Sequence, residues 1–208
     1  MEVGRIGVAG WVVIAVAVGA AITGCGSNNK TGSPPASTTS SSPAVTSSVS
    51  SAVTGPPPGQ VTDYGFLLIK PADLGGNLTA AQPPLLNPNN APGVAQLFAT
   101  VDNGRRVWDT IMIGADPAAA ATELGTTRTT YAGKVSGTWQ PLAVGSNGTM
   151  ISGASADNSQ ATTVLLFCEG KALVTLQFDS PSSDPIDPGV ATEIARKQDA
   201  AIKTGLPG

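Results

Sequence analysis

The hydrophobic residues of the chain form one long run near the N-terminus and several short periodic segments after residue 60. The long run covers residues 6–22 and contains no charged residue. Its length is at the lower limit for a helix that spans a bilayer. A secretory signal peptide matches better, because Arg5 precedes the run and small residues follow it.

Alternating apolar and polar residues predict β-strands in the second half of the chain. The clearest pair covers residues 162–168 and 171–178, and in the second strand one face is expected to be buried and the other partly wet. Asn103 and Gly104 are typical of a hairpin turn, which needs positive φ angles. The pattern predicts further strands on both sides of that turn and after it, at residues 95–101, 106–113, 139–144 and 149–153.

Helices are predicted where a capping aspartate precedes a proline. Asp116 and Asp187 both do so, and the segments that follow them run to Ala132 and Thr204. A shorter apolar helix is predicted over residues 64–69. The order of elements predicts an α+β fold, with an antiparallel sheet of about 5–6 strands and the helices packed on one face.

A processing motif stands at the end of the long apolar run. Residues 22–25 read Ile-Thr-Gly-Cys and resemble the bacterial lipobox, in which an aliphatic and two small residues precede a lipid-modified cysteine. The resemblance implies cleavage between Gly24 and Cys25, and transfer of acyl chains such as palmitate to Cys25. More than one acyl chain anchors a protein stably, whereas a single chain is marginal. We therefore expect a protein anchored to the extracytoplasmic face of the cell membrane.

The segment after the lipobox has a different composition. Residues 31–60 contain 9 Ser, 5 Thr and 6 Pro and no charged or aromatic residue. So little apolar surface predicts a disordered linker. The predicted organisation is a signal peptide over residues 1–24, the lipidated cysteine and linker over residues 25–60, and an α+β domain over residues 61–208.

Charge and composition argue against several classes of function. The net charge is −3, and there is no basic patch of the kind that binds nucleic acid. The chain has no histidine, so it cannot form a Ser-His-Asp triad, a Cys-His pair or an HExxH zinc site. No spaced carboxylate loop for a metal ion is present. We expect no enzymatic activity, no metal and no cofactor.

A few side chains could still carry chemistry. Cys168 is the only thiol besides Cys25, and without a histidine to lower its pKa it is predicted to be a buried core residue. Asp109 interrupts an apolar strand and could pair with an arginine or line a pocket; the other aspartates are mostly predicted at caps and turns. Four aromatic residues are predicted in the core or at its edge, with a sugar or lipid site as the alternative: Tyr64, Trp108, Tyr131 and Trp139.

The combination of export signal, lipobox, Ser/Thr/Pro stalk and small α+β domain resembles the Lpp/Lpq-type lipoproteins of mycobacteria and related actinobacteria. Some members of that group adopt a PsbP-like α/β sandwich, which would suit the order of elements here. The resemblance includes no catalytic motif.

We therefore expect a non-enzymatic lipoprotein of the cell envelope that binds a partner protein or a small ligand. One alternative is a carrier of lipids or glycolipids, which would need a large apolar cavity. A second alternative is a hydrolase of cell wall or sugars, which would need two carboxylates in one cleft.

Overall fold

The computed structural model of the protein describes residues 63–206. The predicted signal peptide, the predicted linker and the predicted processing site at Gly24 and Cys25 lie outside these residues.

An antiparallel sheet forms the centre of the fold. The described residues contain nine strands, which are β1 (Thr79–Ala80), β2 (Leu85–Leu86), β3 (Gly93–Ala99), β4 (Arg106–Ile113), β5 (Val135–Ser136), β6 (Gln140–Pro141), β7 (Ser146–Ser155), β8 (Gln160–Glu169) and β9 (Ala172–Pro181). Their order across the sheet is β1-β3-β4-β9-β8-β7-β5, with β2 also paired to β3 and β6 to β7. β8 and β9 therefore lie in the middle, where both of their edges are hydrogen-bonded.

The helices begin where the capping aspartates predict. Besides the single turn α1 (Pro71–Leu74), the helices are α2 (Pro117–Ala132) and α3 (Pro188–Gly205). The Asp116 carboxylate accepts a hydrogen bond from the Ala119 amide at 2.8 Å. The Asp187 carboxylate accepts from the amide of Gly189 and from the one after it. Both aspartates thus satisfy amides that a helix start leaves unpaired, and both predicted helices are confirmed.

The two long helices cover opposite faces of the sheet. Val174, Leu176 and Phe178 of β9 belong to the hydrophobic cluster of α3, whereas Leu173 belongs to the cluster of α2. Neighbouring residues of a strand point to opposite faces. We call these faces the α3 face and the α2 face.

The α+β class and the antiparallel sheet are confirmed, but two details of the prediction are wrong. The helices do not share one face, because the central strands bury side chains on both sides. The sheet also has more strands than about 5–6, because β1, β2 and β5 have only two residues each and show no periodic pattern.

Two further elements differ from their predicted form. The helix predicted over residues 64–69 is a short 3₁₀ turn, Gly65–Leu67, and the chain extends before Pro71 begins α1. The strand predicted over residues 139–144 is reduced to β6. In the turn predicted at Asn103 and Gly104, Asn103 has the expected positive φ, 55°, and Gly104 does not.

Short strands cover both outer strands of the sheet. β1 and β2 pair with β3 on one side, and β5 and β6 pair with β7 on the other. Long exposed edges invite pairing with other chains, and short covering strands limit that. The cover is tight at Gly153 of β7, where an added Cβ would lie 1.6 Å from the carbonyl oxygen of Ser136 in β5.

We predict that Gly153→Ala destabilises the domain by about 1–3 kcal/mol, the usual cost of overpacking. The matched control is Gly125→Ala in α2, where an added Cβ meets nothing within 4 Å. That change should stabilise the protein by about 0.5–1 kcal/mol, since alanine is the better helix former. Urea denaturation of the full chain measures both. A Gly153→Ala protein as stable as the wild type would show that β5 does not lie against β7 in this way.

Candidate functional site

A recess opens on the α2 face, where α2 ends, β4 and β8 begin and β9 ends. Its volume is about 350 Å³. Most of the residues that line it have polar side chains, and we define the polar recess by six of them: Arg106, Tyr131, Gln160, Thr162, Gln177 and Asp179.

Strand register brings these side chains together. Asp179 of β9 is the cross-strand partner of Arg106 on β4 and of Thr162 on β8. The three residues therefore lie in one row across the sheet, at the spacing at which cross-strand side chains interact. Gln177 lies on the same face as Asp179, because the two are separated by one residue along β9.

The Asp179 carboxylate is at the centre of the network. Its residue is only 6% exposed. Thr162 Oγ1 donates a hydrogen bond to Asp179 Oδ1 at 3.0 Å. Gln177 Nε2 donates to both oxygens, at 3.0 and 3.1 Å. Arg106 Nη2 lies 3.6 Å from Oδ2. A buried carboxylate is tolerated only when it is paired and hydrogen-bonded, and here it is both.

Two further hydrogen bonds extend the network outward. Arg106 Nη2 donates to Gln160 Oε1 at 2.8 Å, and the Tyr131 hydroxyl donates to Gln177 Oε1 at 3.0 Å. The pKa of Tyr131 is raised, first by its burial and then by the negative charge of Asp179. Tyr131 therefore keeps its proton and acts as a donor to Gln177. The outward-facing residues of the recess are thus held in place by the buried carboxylate.

Charges balance around the recess. Arg106 and Lys134 are basic lining residues, and Asp157 and Asp179 are acidic ones. The pKa of Asp157 is lowered to about 2 by hydrogen bonds, first from the Ser155 hydroxyl and then from Ser159. Asp157 is therefore ionised at neutral pH. The Lys134 ammonium lies 5.3 Å from the ring centroid of Tyr131, within cation–π range.

The four aromatic residues considered from the sequence lie in different places. Tyr131 lines the polar recess. Tyr64 packs against the α3-face cluster and Trp139 against the α2-face cluster, where Arg128 lies 5.6 Å from the Trp139 ring centroid. Trp108 is half-buried on the α2 face of β4, directly opposite Gln177 in the register.

Asp109 points to the opposite face from the recess and contacts the start of the domain. It is fully buried, and its Oδ2 accepts a hydrogen bond from the Ile69 amide at 3.4 Å. The same amide donates to Gln198 Oε1 of α3 at 3.0 Å, and Gln198 Nε2 donates to the Leu67 carbonyl at 2.8 Å. We call these four residues the N-terminal clasp. Asp109 pairs with no arginine, because its side chain lies on the α3 face while Arg106 lies on the α2 face.

Burial raises the pKa of Asp109 to about 7, and the hydrogen bond from Ile69 opposes the rise only in part. Within the described residues Oδ1 has no hydrogen-bond partner. The neighbours facing Asp109 are Gln96 on β3, Leu176 on β9 and Gln198 on α3, and none of them is titratable. No positive charge therefore compensates the ionised form.

The prediction that Cys168 is a buried core residue is confirmed. Its side chain belongs to the α2-face cluster, together with Leu124 and Leu166. Burial raises its pKa to about 11, so the thiolate needed for nucleophilic chemistry is scarce at neutral pH.

Sequence reasoning did not identify the polar recess. Asp179 was expected among the cap and turn aspartates, and it lies instead within a central strand. One signal was present in the sequence: Gln177 and Asp179 place two polar side chains on one face of an otherwise apolar strand. Their partners Arg106 and Tyr131 come from distant segments, and no local pattern connects them.

Comparison with known proteins gives one fold neighbour. The sequence matches no protein-family model and no curated protein. The crystal structure of the extracellular domain of PknH from Mycobacterium tuberculosis is similar, with a TM-score of 0.50 and 9% sequence identity. The match covers 67% of this chain and 94% of that one. At this identity the likeness shows the fold alone.

Among residues 63–206, no helix is long and apolar enough to cross a bilayer.

We predict that the stability of the domain falls as pH rises from about 4 to about 7. The unfolded Asp109 carboxyl ionises near pH 4, whereas the folded one keeps its proton until about pH 7. The folded state thus binds the extra proton, and raising the pH removes that advantage. With about 1.4 kcal/mol per pKa unit, the loss is on the order of 4 kcal/mol.

Asp109→Asn is the variant that tests this, because the amide is uncharged at every pH used. Urea denaturation at pH 4.5 and pH 8 should show a marked loss of stability at pH 8 in the wild type and a much smaller one in the variant. The chain has no histidine whose titration would overlap. Equal pH dependence in the two proteins would contradict the assignment.

Proposed function

We propose that this protein is a non-enzymatic lipoprotein of the cell envelope whose folded domain binds a small polar ligand in the polar recess. The observation that carries the proposal is the hydrogen-bonded network behind the recess. It fixes Arg106, Gln160 and Tyr131 in position before any ligand arrives. Such preorganisation lowers the entropic cost of binding.

The residues of the recess have hydrogen-bonding capacity that the network does not use. Gln160 accepts from Arg106 through its oxygen, which leaves both protons of its amide nitrogen available. Tyr131 donates its proton to Gln177, which leaves the lone pairs of its hydroxyl oxygen available. Both residues are half-buried rather than sealed from solvent. A ligand in the recess can therefore meet both donors and acceptors.

The same geometry argues against hydrolysis by Asp179. Both of its carboxylate oxygens already accept hydrogen bonds from Thr162 or Gln177. A general acid or base must be free to reach the substrate with its proton site. The packing of the core argues against the lipid carrier, because Phe167 and Phe178 fill the α3 face next to α3 with 2% exposure or less.

Location in the envelope is supported by two independent facts. The residues Ile-Thr-Gly-Cys at positions 22–25 follow an uncharged apolar run. The neighbour in fold is described as the extracellular domain of its protein. A lipid on Cys25 would hold the domain at the outer side of the membrane, where a binding module can meet extracytoplasmic ligands.

A ligand screen on the full chain tests the recess. We expect compounds from a library of polar metabolites to raise the melting temperature, since a ligand at about 100 times its Kd stabilises a protein by about 2.7 kcal/mol. Ala156→Trp places an indole at the exposed rim of the recess and should abolish these shifts. Ala118→Trp, on the exposed first turn of α2, is the matched control and should keep them.

Two results would contradict ligand binding in the recess. One is a screen in which no compound stabilises the wild type. The other is stabilisation of Ala156→Trp to the same extent as the wild type and Ala118→Trp.

A second pair of variants tests the anchor. Cys25→Ala removes the thiol that would carry the lipid, so we expect the protein to lose its acyl mass increments and to leave the membrane fraction. Cys168→Ala removes the other thiol of the chain and should stay in that fraction. Fractionation and intact mass spectrometry measure both. Membrane retention of Cys25→Ala with an unchanged mass increment would exclude Cys25 as the anchor.

A further inference from the structure

An aromatic side chain stands next to the polar recess without a partner in the core. Trp108 is the cross-strand neighbour of Gln177. It lies on the same face as Arg106, which precedes it by two residues in β4. It belongs to neither hydrophobic cluster of the domain. It is only half-buried, although tryptophan is normally highly buried on average.

The uncovered position of Trp108 follows from where α2 lies. The helix packs on β8 and β9, and its cluster includes Leu173 and Val164. On β4, the α2-face residues Trp108 and Thr110 are both half-buried, and so is Leu97 of β3. The ring therefore lies beside the recess, on the β4 side of the α2 face, away from the strands on which α2 packs.

The polar recess beside this ring has hydrogen-bonding groups of mixed character. Gln160 and Arg106 have donors to spare, while the Tyr131 oxygen can accept. A hydroxyl group of a ligand can pair with both the donors and the acceptor, since each hydroxyl donates one hydrogen bond and accepts others. Several hydroxyls in a row would match the row of polar side chains across β4, β9 and β8.

The balanced charge of the recess favours a neutral ligand over an anionic one. Two basic and two acidic side chains line the recess, and Asp157 is at its exposed rim. An anionic ligand attracted to Arg106 would also meet the negative charge of Asp157. A neutral ligand meets no such penalty, and it gains hydrogen bonds from both kinds of group.

From this juxtaposition we infer that the ligand is a neutral saccharide, whose apolar ring face packs on Trp108 while its hydroxyls bond to Arg106, Gln160 and Tyr131. The inference rests on the proposed function and names the chemical class of its ligand. Sugar rings combine an apolar face with a rim of hydroxyls, which is the combination that an aromatic ring beside a neutral polar network can recognise.

The test uses the full chain, purified in a zwitterionic detergent that has no sugar headgroup. The purified protein is applied to an array of neutral hexose, pentose and N-acetylhexosamine oligosaccharides. Glucose 6-phosphate and glucuronic acid are the charged comparators. We expect binding to one or more neutral saccharides. Titration with the same saccharide free in solution separates a site for free sugars from one for polymer-attached glycans, and binding from either source supports the inference.

Variants of the tryptophan residues show which aromatic ring contacts the saccharide. Trp108→Ala should bind the saccharide about tenfold more weakly or worse, because the aromatic contact is lost. Trp108→Phe keeps an aromatic face and should restore most of the affinity, and a cooperative thermal unfolding transition of Trp108→Ala shows that its loss of binding is not loss of folding. Trp139→Phe, an aromatic change away from the recess, should bind as the wild type does.

The outcomes separate this inference from the proposed function. If no neutral saccharide binds, or if the charged comparators bind better, the saccharide assignment is wrong, while recess ligands found in the metabolite screen would leave the proposed function standing. Saccharide binding that is unchanged in Trp108→Ala would also overturn the assignment. If the screen and the array both give no ligand, the proposed function fails as well.

Discussion

Burial of the central hairpin on both faces is the constraint on which the rest of the structure depends. β8 and β9 pair along their whole length, and each also has a neighbouring strand on its outer side. Their side chains are buried on both faces over most of that length, so a helix is needed on each side to exclude water. The positions of α2 and α3 follow from this requirement.

The polar recess forms where the apolar pattern of the hairpin ends. α2 stops at Ala132, close to the strand residues Gln177, Asp179 and Thr162, and its Tyr131 hydroxyl is hydrogen-bonded to Gln177. A carboxylate at that depth would destabilise the fold if it were alone. Arg106 and the two neighbouring polar groups satisfy it, and the side chains that face solvent are ordered as a result. The interactions that stabilise the buried carboxylate are therefore the same ones that order the polar side chains of the recess.

Sequence reasoning succeeded where the cause of a structure is local. The aspartate caps at Asp116 and Asp187 and the turn at Asn103 are determined by a few neighbouring residues, and all three are present in the structure. Sequence reasoning failed where a feature depends on residues that are distant in the sequence. The polar residues Lys171 and Gln177 predict that one face of the strand is partly exposed to solvent. Whether that face is covered depends on α2, which lies far away in the sequence. The recess was missed for the same reason. The burial of Asp109 depends on the segment around Ile69.

The N-terminal clasp also determines how force would enter the domain. The first described residues are joined to the sheet through the turn that Gln198 and Asp109 hold against the α3 face. A pull along the chain would therefore load hydrogen bonds between this turn, β4 and α3, and each would have to shear before the sheet itself is strained. The polar recess lies on the other face of that sheet. Under the proposed function, tension from the lipid anchor and recognition of the ligand would act on opposite sides of the same layer.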